Sequence, residues 1–376
     1  MRTKIFRMTL FIIFMMIIYF IGSKTFISFS KNFTYDDLSD VDGHKRIEES
    51  FRNHFYKKDK LIDIFGLEQK ILNRNILGNF EFALTDLNML DIVKPLVNNE
   101  DVIFAERLLY IKRICDKNNT KMLYVQMPAR SYNRNLKIFG LNDYYDGINQ
   151  IIKDNNIDIL KKEDLLHNDL TINSFYFKSD IHPTTDAEIR VVDLLKRKLK
   201  LANNDIYSKT ILENTKNFTK IEHNFIGNLV FSVGKYFVGE DKFVQYIPKF
   251  DTQFFLKELY GNVNKEGNWE NVLMNGYNKL DRSEDKIYWV TDYLMFGSSG
   301  YEIINYNAKN KSILFICDSM CYRTISYLAL NCHKITILDP RFFYKTNKTN
   351  DAIYKEVLNK EKYDMVVVLH GTFFNL

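Results

Sequence analysis

Apolar positions along the chain follow two rhythms. From Asp101 to Cys115, Phe104, Leu108, Ile111 and Cys115 recur at spacings of three and four and predict one buried helical face. "DKNNTK" ends that helix. "MLYVQM", Met122–Met127, is then a continuous apolar run stopped by Pro128, which predicts a short buried strand. A further helix is predicted after His182. There Thr185 and Glu188 form a capping box, and Ala187, Val191, Leu194, Leu195 and Leu199 make the buried stripe. Upstream, Ser50–Leu77 also reads as helical.

The last 65 residues repeat the second rhythm most clearly. "SILFIC" (Ser312–Cys317), "KITILD" (Lys334–Asp339) and "DMVVVL" (Asp364–Leu369) predict strands. Between them, Thr324–Leu330 and Asp351–Asn359 predict helices. Continuous apolar strands alternating with helices imply an α/β fold, a parallel sheet covered on both faces. Ligands of such sheets bind past the carboxyl ends of the strands. Ser319, Arg341 and His370 therefore gather along one edge, with Pro128-Ala129-Arg130 beside them. Between about 203 and 310 the periodicity weakens, and an irregular α+β insertion is expected.

The N-terminus differs from the rest. Arg2, Lys4 and Arg7 precede an apolar run, Met8–Ser23, whose 16 residues fall short of the roughly 20 that usually span a bilayer. Arg7 and Lys24 can snorkel to make up the difference. No Ala-x-Ala-like site follows, which favours an uncleaved signal anchor over a cleaved signal peptide. The expected organisation is an anchor over 1–24, a linker over 25–49 and one domain over 50–376 outside the cytoplasm. With 46% hydrophobic and 26% charged residues, the chain has the composition of a globular protein with a sizeable core. Its net charge of +5 is scattered, which argues against a nucleic-acid partner.

Candidate chemistry enters at two places. Ser319, in "FICDSMCYR", sits on a strand-to-helix turn, where a hydroxyl is exposed beside backbone N–H groups. A serine needs a base to take its proton, and a carboxylate to orient that base. Asp180 and His182, two residues apart in the loop before the capped helix, supply such a pair. Read singly, Asp318 and Ser319 are also ordinary helix caps, His370 is a rival base, and Cys317 or Cys321 a rival nucleophile. Cys317, Cys321, Cys332 and His333 form a loose metal-like set whose spacing fits no usual zinc pattern. No metal or cofactor is expected.

"SDIHPTTDAEI" followed far downstream by "ILFICDSMCYRTISYLALNCHKITILDPRFFY" resembles the alginate O-acetyltransferase-like branch of the SGNH hydrolase superfamily, which includes the DHHW proteins. The resemblance extends to "MLYVQMPAR" and "FIGNLVFSVGKY". It implies an SGNH-like doubly wound parallel sheet, preceded here by the anchor. It also implies a triad of Ser319 as nucleophile, His182 as base and Asp180 as its partner. Arg341, Tyr322 and Arg323 become candidates for substrate binding. The implied activity is transfer of acetyl groups from a donor to hydroxyls of a cell-surface polysaccharide, served by a polytopic membrane acyltransferase partner. A polysaccharide esterase and a non-catalytic assembly scaffold are the alternatives. Two positions depart from the family pattern: Cys317 replaces a glycine and Pro183 a tryptophan. No carbohydrate-binding module is expected after the catalytic domain.

Overall fold

The computed structural model describes residues 58–74, 100–128, 141–166, 171–201, 215–274, 297–309 and 311–370, three short strands between 76 and 92, and helical residues 16, 19–25 and 27. The described chain divides into two units. In the first, Met1–Asn73 with Phe231–Phe237, helix α1 (Lys58–Ile71) packs Gly66 against Val233 and Gly234, and Asp63 Oδ1 accepts from the Lys235 N–H at 2.9 Å. Most of the Met8–Ser23 run and of the 25–49 segment lies outside the described residues. Among those described, no helix is long and apolar enough to cross a membrane.

The second unit, Arg74–Val230 with Val238–Leu376, holds the sheet. Its helices are α2 (Glu100–Lys117), α3 (Leu141–Asp154), α4 (Thr185–Leu199), α5 (Tyr322–Leu328) and α6 (Asn350–Lys360). After the three short strands between 76 and 92, the strands in chain order are β1 (Lys121–Gln126), β2 (Asp158–Leu160), β3 (Phe218–Phe225), β4 (Asp241–Pro248), β5 (Phe254–Glu258), β6 (Asn264–Gly267), β7 (Gly300–Asn305), β8 (Ser312–Cys317), β9 (Lys334–Leu338) and β10 (Met365–His370). Eight of them form one sheet in the order β2-β1-β10-β8-β9-β7-β5-β6. The first five are mutually parallel, and β7, β5 and β6 continue antiparallel.

The apolar runs of the central strands are continuous because successive residues serve opposite faces. Ile313, Phe315 and Cys317 join Val367 and Leu369 in a core against α4 and α5. Leu314 and Ile316 join Val366 and Val368 in a second core against α2, α3 and α6. Both faces of the parallel half are thus covered, as the pattern predicts.

Three expectations are corrected. The 203–310 stretch is far from wholly irregular: it supplies β5, β6 and β7 to the main sheet and a separate β3–β4 hairpin. Leu77 ends in a short strand instead of a helix. The cap of α4 is Thr184, one residue early, whose hydroxyl accepts from the Ala187 N–H. Thr185 donates instead to the Val244 carbonyl, and Glu188 turns inward to Arg323.

Candidate active site

The serine turn is made by local structure. Strand β8 runs into Asp318, whose carboxylate accepts from the Met320 N–H at 2.8 Å and caps a 3-10 turn over Ser319–Cys321 that leads into α5. The Asp318 carbonyl accepts from the Cys321 N–H. Of the backbone donors around this turn, those of Met320 and Cys321 are thus committed to Asp318, and the Ser319 N–H lies beside its own hydroxyl. Cys317 and Cys321 are joined in a disulfide that closes a ring around Ser319. In that state neither sulfur is a free thiol.

The histidine loop is made by distant structure. Residues 177–182 close on themselves, the Phe177 N–H donating to the His182 carbonyl, with a bridge between Tyr176 and Pro183. The Tyr176 hydroxyl reaches the Pro128 carbonyl at 2.6 Å, beyond the end of β1. The rest of the support comes from the β3–β4 hairpin. Asp241, the first residue of β4, accepts from the N–H groups of Lys178 (3.1 Å) and Ser179 (2.8 Å) and from the Ser179 hydroxyl (2.5 Å). After β3, the N–H of Gly227 donates to Ser179 Oγ and that of Asn228 to Asp180 Oδ2 at 3.0 Å. A Cβ on Gly227 would run into Asp180 Cβ and the Ser179 carbonyl, so only glycine allows this approach.

The two pieces meet. His182 Nε2 lies 3.0 Å from Ser319 Oγ, and His182 Nδ1 lies 2.5 Å from Asp180 Oδ1. A carboxylate only accepts, so Nδ1 carries the proton and Nε2 presents its lone pair to the serine hydroxyl. Asp180 is 1% and His182 3% exposed, which keeps bulk water from screening this pair. Burial would raise the Asp180 carboxyl. When the imidazole is protonated, its charge and hydrogen bond, with the N–H groups of Asn228 and His182, outweigh burial and hold Asp180 at about 2.

Arg341 stands at the same edge. Its guanidinium grips Asp339 through Nε–Oδ1 (2.9 Å) and Nη2–Oδ2 (2.6 Å), and its Nη1 donates to Ser319 Oγ at 3.3 Å. Burial opposes its charge, but the Asp339 pair raises its affinity for the proton well above the ordinary arginine value. Tyr322, by contrast, is 2% exposed, and its hydroxyl donates to Asp339 Oδ2 at 2.5 Å. Burial and Asp339 raise that phenol strongly, so it stays a donor. Arg323 is likewise 2% exposed and bound to Glu188 and Pro183, so it faces the interior and not an incoming substrate. Burial pushes the Glu188 carboxyl up, against the pull of Arg323.

Strand β10 ends on His370, whose side chain lies outside the described residues. Cys332 is buried, and His333 Nδ1 lies against the Asn305 and Ala308 carbonyls. Among the described residues no cluster of three metal-ligating side chains forms. Sequence reasoning missed Asp241, Gly227, Asn228 and the linking role of Asp339. Gly227 and Asn228 lie inside the quoted "FIGNLV" segment, but nothing local marks what they touch.

An α/β sheet carrying a serine turn after a central strand, with an Asp-x-His loop earlier in the chain, is a fold shared with solved structures at low sequence identity. No protein-family model and no curated protein sequence matches the chain. Among solved structures, Bacillus cereus PatB1 with a sulfonyl adduct superposes with a TM-score of 0.58 at 16% identity, over 78% of this chain and 95% of that one. PatB1 without the adduct gives 0.55 at 14% identity, over 77% and 95%. A DHHW family protein from Eubacterium siraeum gives 0.51 at 12%, over 75% and 87%.

Proposed function

We propose that this protein is an extracytoplasmic O-acetyltransferase that acetylates hydroxyls of a cell-surface polysaccharide through Ser319, His182 and Asp180. The observation that carries this reading is the 3.0 Å approach of His182 Nε2 to Ser319 Oγ across 137 positions of chain. His182 takes the Ser319 proton as Oγ bonds to the carbonyl carbon of an acetyl donor. Asp180 stabilises the imidazolium that results. The Ser319 N–H and Arg341 Nη1 are the donors beside the developing oxyanion. The carbonyl re-forms, the bond to the leaving group breaks, and His182 returns its proton to that group. A sugar hydroxyl then attacks the acetyl-serine, gives its proton to His182, and departs as the ester while Oγ is reprotonated.

Support for transfer over hydrolysis comes from enclosure, Ser319 being 7% exposed. PatB1, which shares the fold, has been solved with a sulfonyl adduct, in keeping with a nucleophile-based chemistry. The Cys317–Cys321 disulfide favours an oxidising compartment. An N-terminal anchor and a polytopic membrane acyltransferase that delivers acetyl groups complete the proposal.

The test is turnover of 4-nitrophenyl acetate with and without an oligosaccharide acceptor, acetylated sugar being read by mass spectrometry. Wild type releases nitrophenol and labels the sugar, and Ser319→Ala loses about 10⁴-fold or more of the rate. Undiminished turnover in that variant would sink the triad, and nitrophenol release without sugar labelling would leave an esterase. In denaturant without reductant two cysteines alkylate, Cys115 and Cys332, and addition of reductant exposes Cys317 and Cys321.

A further inference from the structure

The hydrogen bonds around Asp180 orient the imidazole about its own loop. Its distance from Ser319 depends on how that loop is tied to the segment that carries the serine. Arg323 makes such a tie. It stands four positions after Ser319, about one turn further along the same segment, and is 2% exposed. Its Nη2 donates to the carbonyl of Pro183, the residue next to His182. Its Nε forms an ion pair at 2.8 Å with Oε2 of Glu188, in the first turn of α4. The rings of Phe177, from the histidine loop, and Phe243, from β4, lie 5.4 and 5.5 Å from its Cζ. One side chain thus touches the loop from two sides, the helix that follows it and the hairpin that backs it.

We propose that Arg323 is a positioning residue that sets the Ser319–His182 distance by holding Pro183 to the serine-bearing helix. This inference rests on the acyl-transfer reading of Ser319. Its physical basis is the planar fork of donors, which serves Pro183 and Glu188 at once while its faces stack on aromatic rings. A lysine ammonium is a single point and cannot satisfy both partners in that slot. Buried among aromatic rings, the hydrogen bond and the ion pair of Arg323 are stronger than in water and resist displacement. The reacting atoms therefore stay in register without a contact between Arg323 and substrate.

The test compares Arg323→Lys, Arg323→Gln and Glu188→Gln with wild type and with Ile325→Val, a substitution of a fully buried residue on the same helix whose side chain carries no polar atom. Kinetics with 4-nitrophenyl acetate, labelling of Ser319 by a sulfonyl fluoride and thermal midpoints are measured on each. Misplacement by about 1 Å costs up to roughly 10²-fold, so R323Q is expected to lose about 100-fold and R323K and E188Q about 10-fold in kcat with KM within about twofold. Ser319 labelling should slow in the same order. Ile325→Val lowers the midpoint and leaves kcat unchanged. If R323Q does not fold, R323K and E188Q decide the matter. The inference is overturned if those two keep wild-type kcat and labelling, or if kcat merely follows the thermal midpoint across the set, Ile325→Val included. A wild type that neither turns over nor labels removes the acyl-transfer reading as well; an active wild type with unaffected variants removes this inference alone.

Discussion

Ser319 and His182 are neighbours held in opposite ways. The serine turn depends on what lies next to it in the chain: the end of β8, the Asp318 cap and the disulfide that closes around it. The histidine loop depends on residues some 45 to 140 positions away, namely Asn228, Asp241 and Arg323. A nucleophile gains from a rigid strand-to-helix turn, because the turn itself presents the hydroxyl. A base must be aimed at an atom elsewhere, and its own loop is too short to fix both orientation and distance. The β3–β4 hairpin, in a stretch that reads as unpatterned, supplies the missing constraint. Support of catalytic groups by surrounding hydrogen bonds is what keeps them within productive geometry.

The sharpest test of this contrast lies at its junction. Asp180→Asn leaves the loop's shape nearly intact but no longer enforces the Nδ1–H tautomer, and a loss of about 10⁴-fold in kcat is expected. A loss below about tenfold, measured on folded protein, would show that the carboxylate is not the orienter. Next comes the other side of the serine. Arg341→Met removes a cationic donor 3.3 Å from Oγ and should cost about 10²-fold in kcat/KM, while Arg341→Lys recovers part of it. Wild-type kinetics in the Met variant would leave the Ser319 N–H to face the oxyanion without the guanidinium.

The third test is thermodynamic. Asp180 sits at about 2 in the folded protein against an ordinary 3.8. A depressed carboxyl stabilises the fold above its unfolded value and loses that contribution as pH falls through the folded value. The stability gap between wild type and Asp180→Asn, from urea midpoints, should narrow by about 2 kcal/mol between about pH 5 and pH 2. A gap independent of pH would mean that Asp180 carries no such load. The smallest effect is expected behind the loop. Asp241→Asn keeps the side-chain shape but weakens three hydrogen bonds, so about a tenfold loss of kcat and a drop of about 2–4 °C in Tm are expected. Unchanged kcat with a lowered Tm would reduce the hairpin from a positioning element to a merely stabilising one.

Local pattern revealed the parallel half of the sheet because each buried strand must be apolar on both faces, and that requirement is written in consecutive residues such as Ile313–Ile316. Ser319 and Arg341 were visible for the same reason: chain direction alone puts them at one edge. Glu188 shows where such reading fails. Its spacing from Thr185 matches a capping box, yet it is buried against Arg323, because tertiary packing outweighed a local hydrogen bond. The family resemblance made Arg323 a substrate candidate, but a motif in sequence does not tell which way a helical side chain faces.

What the sequence settled by itself was the alternation of strand and helix and the pairing of Asp180 with His182, since both arise from residues within a few positions of one another. What only the tertiary structure decided was the meeting of that pair with Ser319, the antiparallel extension of the sheet, and the hairpin and arginine that hold the loop. Those contacts join segments far apart in the chain. Their geometry follows from how the core closes, which no short stretch of residues encodes.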